Sequence, residues 1–124
     1  AKDLFKHVET PTTNDIDLLK IGRHFRFNEK TKLIVGRNQD ENEVIKALAL
    51  DKDVLFEAKD HVGPITLLRG ESVQNYLELG AAVTLRYSDA PKEVSSIVVI
   101  QKNGTESEIS AIPAKEEAYL QYRI

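Results

Sequence analysis

The chain has 124 residues, 41% apolar and 30% charged, with Gly at 6 and Pro at 4, which is enough for one hydrophobic core, too little for two, and too apolar for a disordered or low-complexity segment. With Cys at 0, disulfide scaffolds, Cys-based zinc sites, iron–sulfur clusters and thiol nucleophiles are excluded, and no apolar run approaches the roughly 20 residues of a membrane helix. The net charge of -3 argues against a strongly basic binder of nucleic acid, yet Lys20 to Arg37 holds six basic residues against one acid (+5), while the remainder holds 11 against 19 (-8). Positive charge is therefore concentrated in one stretch.

A chain that opens on Ala and contains no Met is expected to be a portion of a longer, cytoplasmic protein, and to work as an appended module with no membrane contact. Residues 1–17, with the polar run Thr10-Pro11-Thr12-Thr13-Asn14-Asp15, read as a lead-in segment or linker from a preceding domain, and residues 18–124 as a single domain. Phe25 and Phe27 alternate with His24 and Arg26, and Leu33 and Val35 with Lys32 and Ile34, on either side of Asn28-Glu29-Lys30-Thr31. That pattern predicts a β-hairpin with one apolar face. Asn38 followed by Glu41 predicts a capping box for a helix over residues 39–50, with Val44, Ile45 and Leu48 as its buried stripe.

Val54-Leu55-Phe56 and Ile65-Thr66-Leu67-Leu68 predict a second strand pair. Ser72 is placed as the N-cap of a second amphipathic helix near 72–87, with Val73, Tyr76, Leu77, Ala81 and Leu85 at helical spacing. Ser96-Ile97-Val98-Val99-Ile100 reads as a strand returning through the Asn103-Gly104 hairpin turn to Ile112. Residues 118–124 fit an edge strand by alternation, while Pro113-Ala-Lys-Glu-Glu fits a helix start. The expectation is an α+β domain with a mostly antiparallel, curved sheet of about six to seven strands and two amphipathic helices.

Gly36-Arg37-Asn38-x-x-Glu41-Asn42 resembles the signature of the RNA-binding domain of the NFACT family, NFACT-R, in which a strand ending in G-R-N is followed by an acidic and amide pair at a helix start. The order of neighbouring elements is similar: Phe25-x-Phe27 in a preceding hairpin, Asp53 to Glu57 where the family has D-x-W-F-H, Gly63 to Leu68 where it has G-S-H-V-V-L, and Ala81-Ala82 through Tyr87-Ser88. The departures are Leu55 for tryptophan, Glu57 for histidine, and Pro64-Ile65 for the Ser-His pair. With these departures and the phrase Asp17-Leu18-Leu19-Lys20-x-Gly22-Arg23-His24-Phe25-Arg26, the chain is similar to the divergent NFACT-R-like domain at the C-terminus of PP-loop proteins related to tRNA 4-thiouridine synthases and 2-thiouridylases. The resemblance implies an accessory, non-catalytic tRNA-binding domain with no cofactor of its own. Its implied partners are tRNA and the catalytic PP-loop domain of an ATP-dependent parent enzyme.

The residues point the same way, because arginines reach phosphate or stack on bases and act together with nearby aromatics. The candidate contacts are Arg23, His24, Arg26, Lys32, Arg37 and Asn38, with His24, Arg26 and Lys32 on the solvent-facing side of the hairpin. Asn38 has a structural alternative as helix cap, and Arg37 one as partner of Glu41 or Glu43. Glu57, Asp60 and His61 form an acid–base cluster in one loop, but no nucleophile, phosphate loop or metal spacing accompanies them. The competing class of function is a protein-interaction or dimerisation module that orients the parent enzyme.

Overall fold

A computed structural model of the chain describes residues 18, 20–71 and 73–124. The lead-in segment and the expected cap Ser72 lie outside them. The strands are β1 (Arg23–Asn28), β2 (Thr31–Val35), β3 (Val54–Ala58), β4 (Thr66–Gly70), β5 (Ser96–Lys102) and β6 (Thr105–Ala111). They form one six-stranded sheet in the order β1-β2-β4-β3-β5-β6, every neighbouring pair antiparallel. The helices are α1 (Gln39–Leu48), α2 (Leu77–Arg86), entered through a 3₁₀ turn at Val73–Tyr76, and α3 (Glu116–Tyr119), which runs into a second 3₁₀ turn at Leu120–Tyr122. The α+β antiparallel architecture is as the alternation predicts, with the short helix α3 added among the described residues.

Alternation along the central strands divides the core between two faces. Phe25, Leu33, Val35, Val54, Phe56, Leu68, Val98 and Ile100 pack with Ala81, Val83 and Leu85 of α2. Ile34 and Leu67 point the other way and pack with Ile45 of α1 and with Leu18. The sheet is thus clad by helices on opposite sides. Gly80 lets α2 approach, since a Cβ there would stand 2.8 Å from the Phe56 ring. In α1 the stripe is narrower than expected: Ile45 is buried and Leu48 half-buried against Ile34 and Leu67, but Val44 is exposed and lies outside that cluster.

The Asn103-Gly104 turn has both residues in the left-handed region, φ 52° and 78°, the geometry that matches the twist of a tight hairpin. At the end of the chain the two sequence alternatives are resolved in favour of a helix. Tyr119 of α3 then packs edge-on against Phe25 at 5.6 Å and Tyr122 against Phe27 at 5.2 Å. Only the final residues reach the outer edge of β1, through an Arg123–Phe25 bridge and an Ile124 N–H that donates to His24 O at 3.0 Å.

Candidate nucleic-acid interface

Strand alternation splits the predicted basic cluster. Arg23 lies on the α2 side, with its guanidinium over the Tyr87 ring at 4.6 Å. His24 and Arg26 lie on the α1 side, where the register sets Arg26 beside Lys32, and Lys32 beside Arg69 of β4. A row of three basic residues therefore crosses β1, β2 and β4. Arg69 is occupied internally: it forks onto the buried Asp53 (Nε to Oδ1 2.9 Å, Nη2 to Oδ2 2.6 Å), and Asp53 Oδ2 also accepts from Leu50 N at 2.8 Å. Arg26 Nη1 donates to the Glu29 carbonyl at 3.1 Å.

His24 is half-buried instead of facing solvent, its ring held against the backbone of Ile21. Its Nε2–H donates to Ile21 O at 2.7 Å, and among the described residues Nδ1 is buried without a hydrogen bond. Burial, reinforced by the Lys32 charge, pushes the imidazole down to about 4, against the pull of the Ile21 bond. The ring is neutral at pH 7 and adds no cation to the surface.

The Gly36 to Asn42 signature holds the fold around α1. Asn38 is the N-cap, with Oδ1 accepting from Glu41 N at 2.9 Å. Arg37 takes the Glu41 partner, not Glu43. The reciprocal half of a capping box is replaced, since the Glu41 carboxylate accepts from the backbone N–H of Arg37 at 2.9 Å and not from that of Asn38. Asn42 Oδ1 accepts from Ile65 N at 3.0 Å and so ties α1 to the segment entering β4. Gly36 is needed because a Cβ there would run into the Asn42 Oδ1. The residues that carry the family resemblance are thus first of all staples between β2, α1 and β4.

These staples also form one wall of an open cleft of about 410 Å³. Arg23, Arg37, Asn38 and Asn42 contribute from the β1–β2–α1 side, and Val62, Gly63, Pro64, Tyr87 and Asp89 from the facing loops. The cleft is held shut at its base by the Asp89 N–H, which donates to Val62 O at 2.7 Å. Beside it, Arg123 sits over Phe25 at 5.6 Å. Burial and the hydrogen bond with Tyr119 raise the Tyr87 hydroxyl, with Arg23 and Arg123 opposing. Three of the predicted residues, Arg23, Arg37 and Asn38, are brought together here. His24, Arg26 and Lys32 lie on the opposite face, and Arg123 joins the cleft side unanticipated, since it depends on how the chain end folds back onto β1.

The acid–base cluster does not assemble: Glu57 and Asp60 are exposed, one on β3 and one in the following loop, and His61 is half-buried. Among the described residues no three His, Asp or Glu side chains converge as a metal site, and no helix is long and apolar enough to cross a membrane.

This sheet, clad on both faces, is shared with a solved structure, the C-terminal region of the fibronectin/fibrinogen-binding protein from Streptococcus suis. The match has a TM-score of 0.68 and 19% identity and covers 84% of this chain and 50% of that one, so the chain spans half of that structure's length. No curated protein matches the sequence. The family model described as the NFACT protein RNA binding domain matches residues 22–123, from the turn before β1 to the Arg123 bridge. The chain belongs to this family of RNA-binding domains.

Proposed function

We propose that the domain is an accessory module that binds folded tRNA weakly and positions it for a catalytic domain elsewhere in the parent protein, a PP-loop enzyme of tRNA thiolation. Family membership supports RNA as the ligand. The thiolation parent is supported by the sequence resemblance through Asp17–Arg26 and by the departures at Leu55, Glu57, Pro64 and Ile65. The observation that carries the placement is Arg23: among the described residues its guanidinium has no carboxylate partner, and it sits over the Tyr87 ring, lining the cleft with Arg37 and on the same side as Arg123. A stacked, planar cation serves both phosphate and base. Arg23, Arg37 and Arg123 are the primary contacts in this reading, Asn38 lines the cleft while capping α1, and Arg26 and Lys32 supply charge on the far face.

A few phosphate contacts on a net-acidic body give weak, salt-dependent and largely sequence-independent binding; three contacts correspond to a log–log salt slope of roughly -2 to -3. The test is a titration with bulk tRNA at two salt concentrations. Arg23→Glu is expected to weaken binding about tenfold or more and Lys32→Glu only a fewfold, with both variants folded. Absence of binding at low salt, or indifference to Arg23→Glu, defeats the proposal. The interaction-module alternative draws on exposed Val62 and Val94 and on the fibronectin and fibrinogen binding for which the streptococcal protein is named. It gains if the chain is silent toward RNA and its mass rises with concentration.

A further inference from the structure

The cleft contains a group that a phosphate-binding surface would not be expected to carry. Asp89 lines it together with Arg23 and Arg37, its backbone N–H donates to Val62 O, and its carboxylate is in none of the salt bridges among the described residues, the cation acting on it being Lys92, whose Nζ donates to Leu85 O and Ser88 O. A carboxylate repels phosphate and accepts from hydrogen-bond donors, and in RNA these lie on the edges of bases and on the 2′-hydroxyl. The remaining lining has the character of a base pocket. Tyr87 with the Arg23 guanidinium over its ring offers a cationic aromatic platform, and Val62, 79% exposed, adds apolar surface beside the buried Pro64. The Oδ1 atoms of Asn38 and Asn42 are committed to Glu41 N and Ile65 N, so what these amides have left to offer is their NH₂ groups. The cleft thus combines a stacking plane, several donors and one acceptor pair.

We propose that this cleft takes a single unstacked guanine base from a single-stranded stretch of RNA, with the base lying on Arg23 and its N1–H and N2–H₂ donating to the Asp89 carboxylate. Guanine alone among the four bases places two adjacent donors on its Watson–Crick edge, the pair that a carboxylate accepts together. Its O6 is an acceptor for the amide and guanidinium donors opposite. Adenine and cytosine each offer one amino group there, and uracil a single imide N–H. Unpaired bases stacked on arginine planes and read on that edge are a general mode of RNA recognition. The inference rests on the RNA-binding reading above and narrows it: phosphate contacts give affinity, and the cleft selects one base in a loop, bulge or end.

The test uses fluorescein-labelled uridine nonamers with a single central guanosine, adenosine, cytidine or inosine, titrated at low salt in parallel with bulk tRNA. The guanosine nonamer is expected to bind about tenfold more tightly than the others, the discrimination typical of one two-bond contact. Inosine, which lacks the N2 amino group, is expected to lose most of that preference. Asp89→Asn, at an exposed position, is expected to reduce the preference to within about twofold without weakening the adenosine nonamer, because removal of a negative charge does not disfavour phosphate. Equal affinities across the nonamers, or a guanosine preference that survives Asp89→Asn, overturn the base assignment and leave tRNA binding standing. Failure to bind either tRNA or any nonamer overturns both.

Discussion

Arg37 and Glu41 form a two-bond fork, Nε to Oε1 at 3.0 Å and Nη2 to Oε2 at 2.7 Å, and the Arg37 backbone N–H donates to that same Oε1. One side of the pair is half-exposed on the cleft and the other is nearly buried against α1. The fork makes Arg37 partly a structural residue, with a guanidinium that lines the cleft while bonded to Glu41.

The Glu41 carboxylate should therefore govern stability in acid. Hydrogen bonds from Arg37 hold it down at about 2, against burial, which pushes the other way, with the backbone N–H groups of Arg37 and Gly22 assisting. A carboxylate depressed from 4.5 in the folded state contributes stability that is fully present above pH 4.5 and is lost as the pH falls toward 2. Glu41→Gln is expected to destabilise the fold by on the order of 1 kcal/mol at pH 7, as charge-assisted bonds are replaced by neutral ones. In urea denaturation the gap between wild type and variant should close over pH 4.5 to 2; a gap constant with pH would contradict the assignment.

Asp53 and Arg69 should behave differently, because this pair is inside. Asp53 is fully buried at its side chain and Arg69 only 14% exposed. Breaking such a pair leaves an uncompensated charge, and Asp53→Ala also orphans the Leu50 N–H, so a loss of roughly 3–5 kcal/mol is expected. Replacing both partners by apolar residues, Asp53→Leu with Arg69→Met, should recover much of that loss in equilibrium denaturation. A double variant as unstable as the single one would mean that the polar contacts to Leu48 O and Leu50 N, not the charges, hold this corner.

These relationships mark where the sequence could and could not be read. The hairpin of β1 and β2, the Asn38 cap and the Asn103-Gly104 turn are local, set by a period of two or by side chains three residues apart, and all are legible in the sequence. The insertion of β4 between β2 and β3 is a long-range choice with no local signal. Spacing alone assigns Val44 to the α1 stripe, yet it stays exposed outside the cluster around Ile45. The sequence groups Arg23 with His24 and Arg26 as contacts, and only the placement of Tyr87 under Arg23 and the bond of His24 to Ile21 O decide which side is cationic and which carries a covered, neutral imidazole. Arg123 enters only because α3 turns the chain back to β1.

His24 offers the sharpest test of that division. Its folded-state value of about 4 lies below the ordinary 6.5, so the unfolded chain binds more protons between those values. Stability conferred by the neutral imidazole is complete above pH 6.5 and is lost as the pH falls toward 4, by on the order of 1–3 kcal/mol. The window lies above that of Glu41, so the two groups can be separated in one pH series. His24→Gln, which keeps a donor for Ile21 O and cannot take up a proton, is expected to flatten the decline between pH 6.5 and 4 and leave the decline below 4.5 in place. The same variant should bind tRNA at pH 7 within about twofold of wild type, since the residue it replaces carries no charge there. An NMR titration placing the imidazole near 6.5, or a tenfold loss of tRNA affinity in His24→Gln, would instead return His24 to the exposed, RNA-contacting role that the strand pattern alone assigned to it.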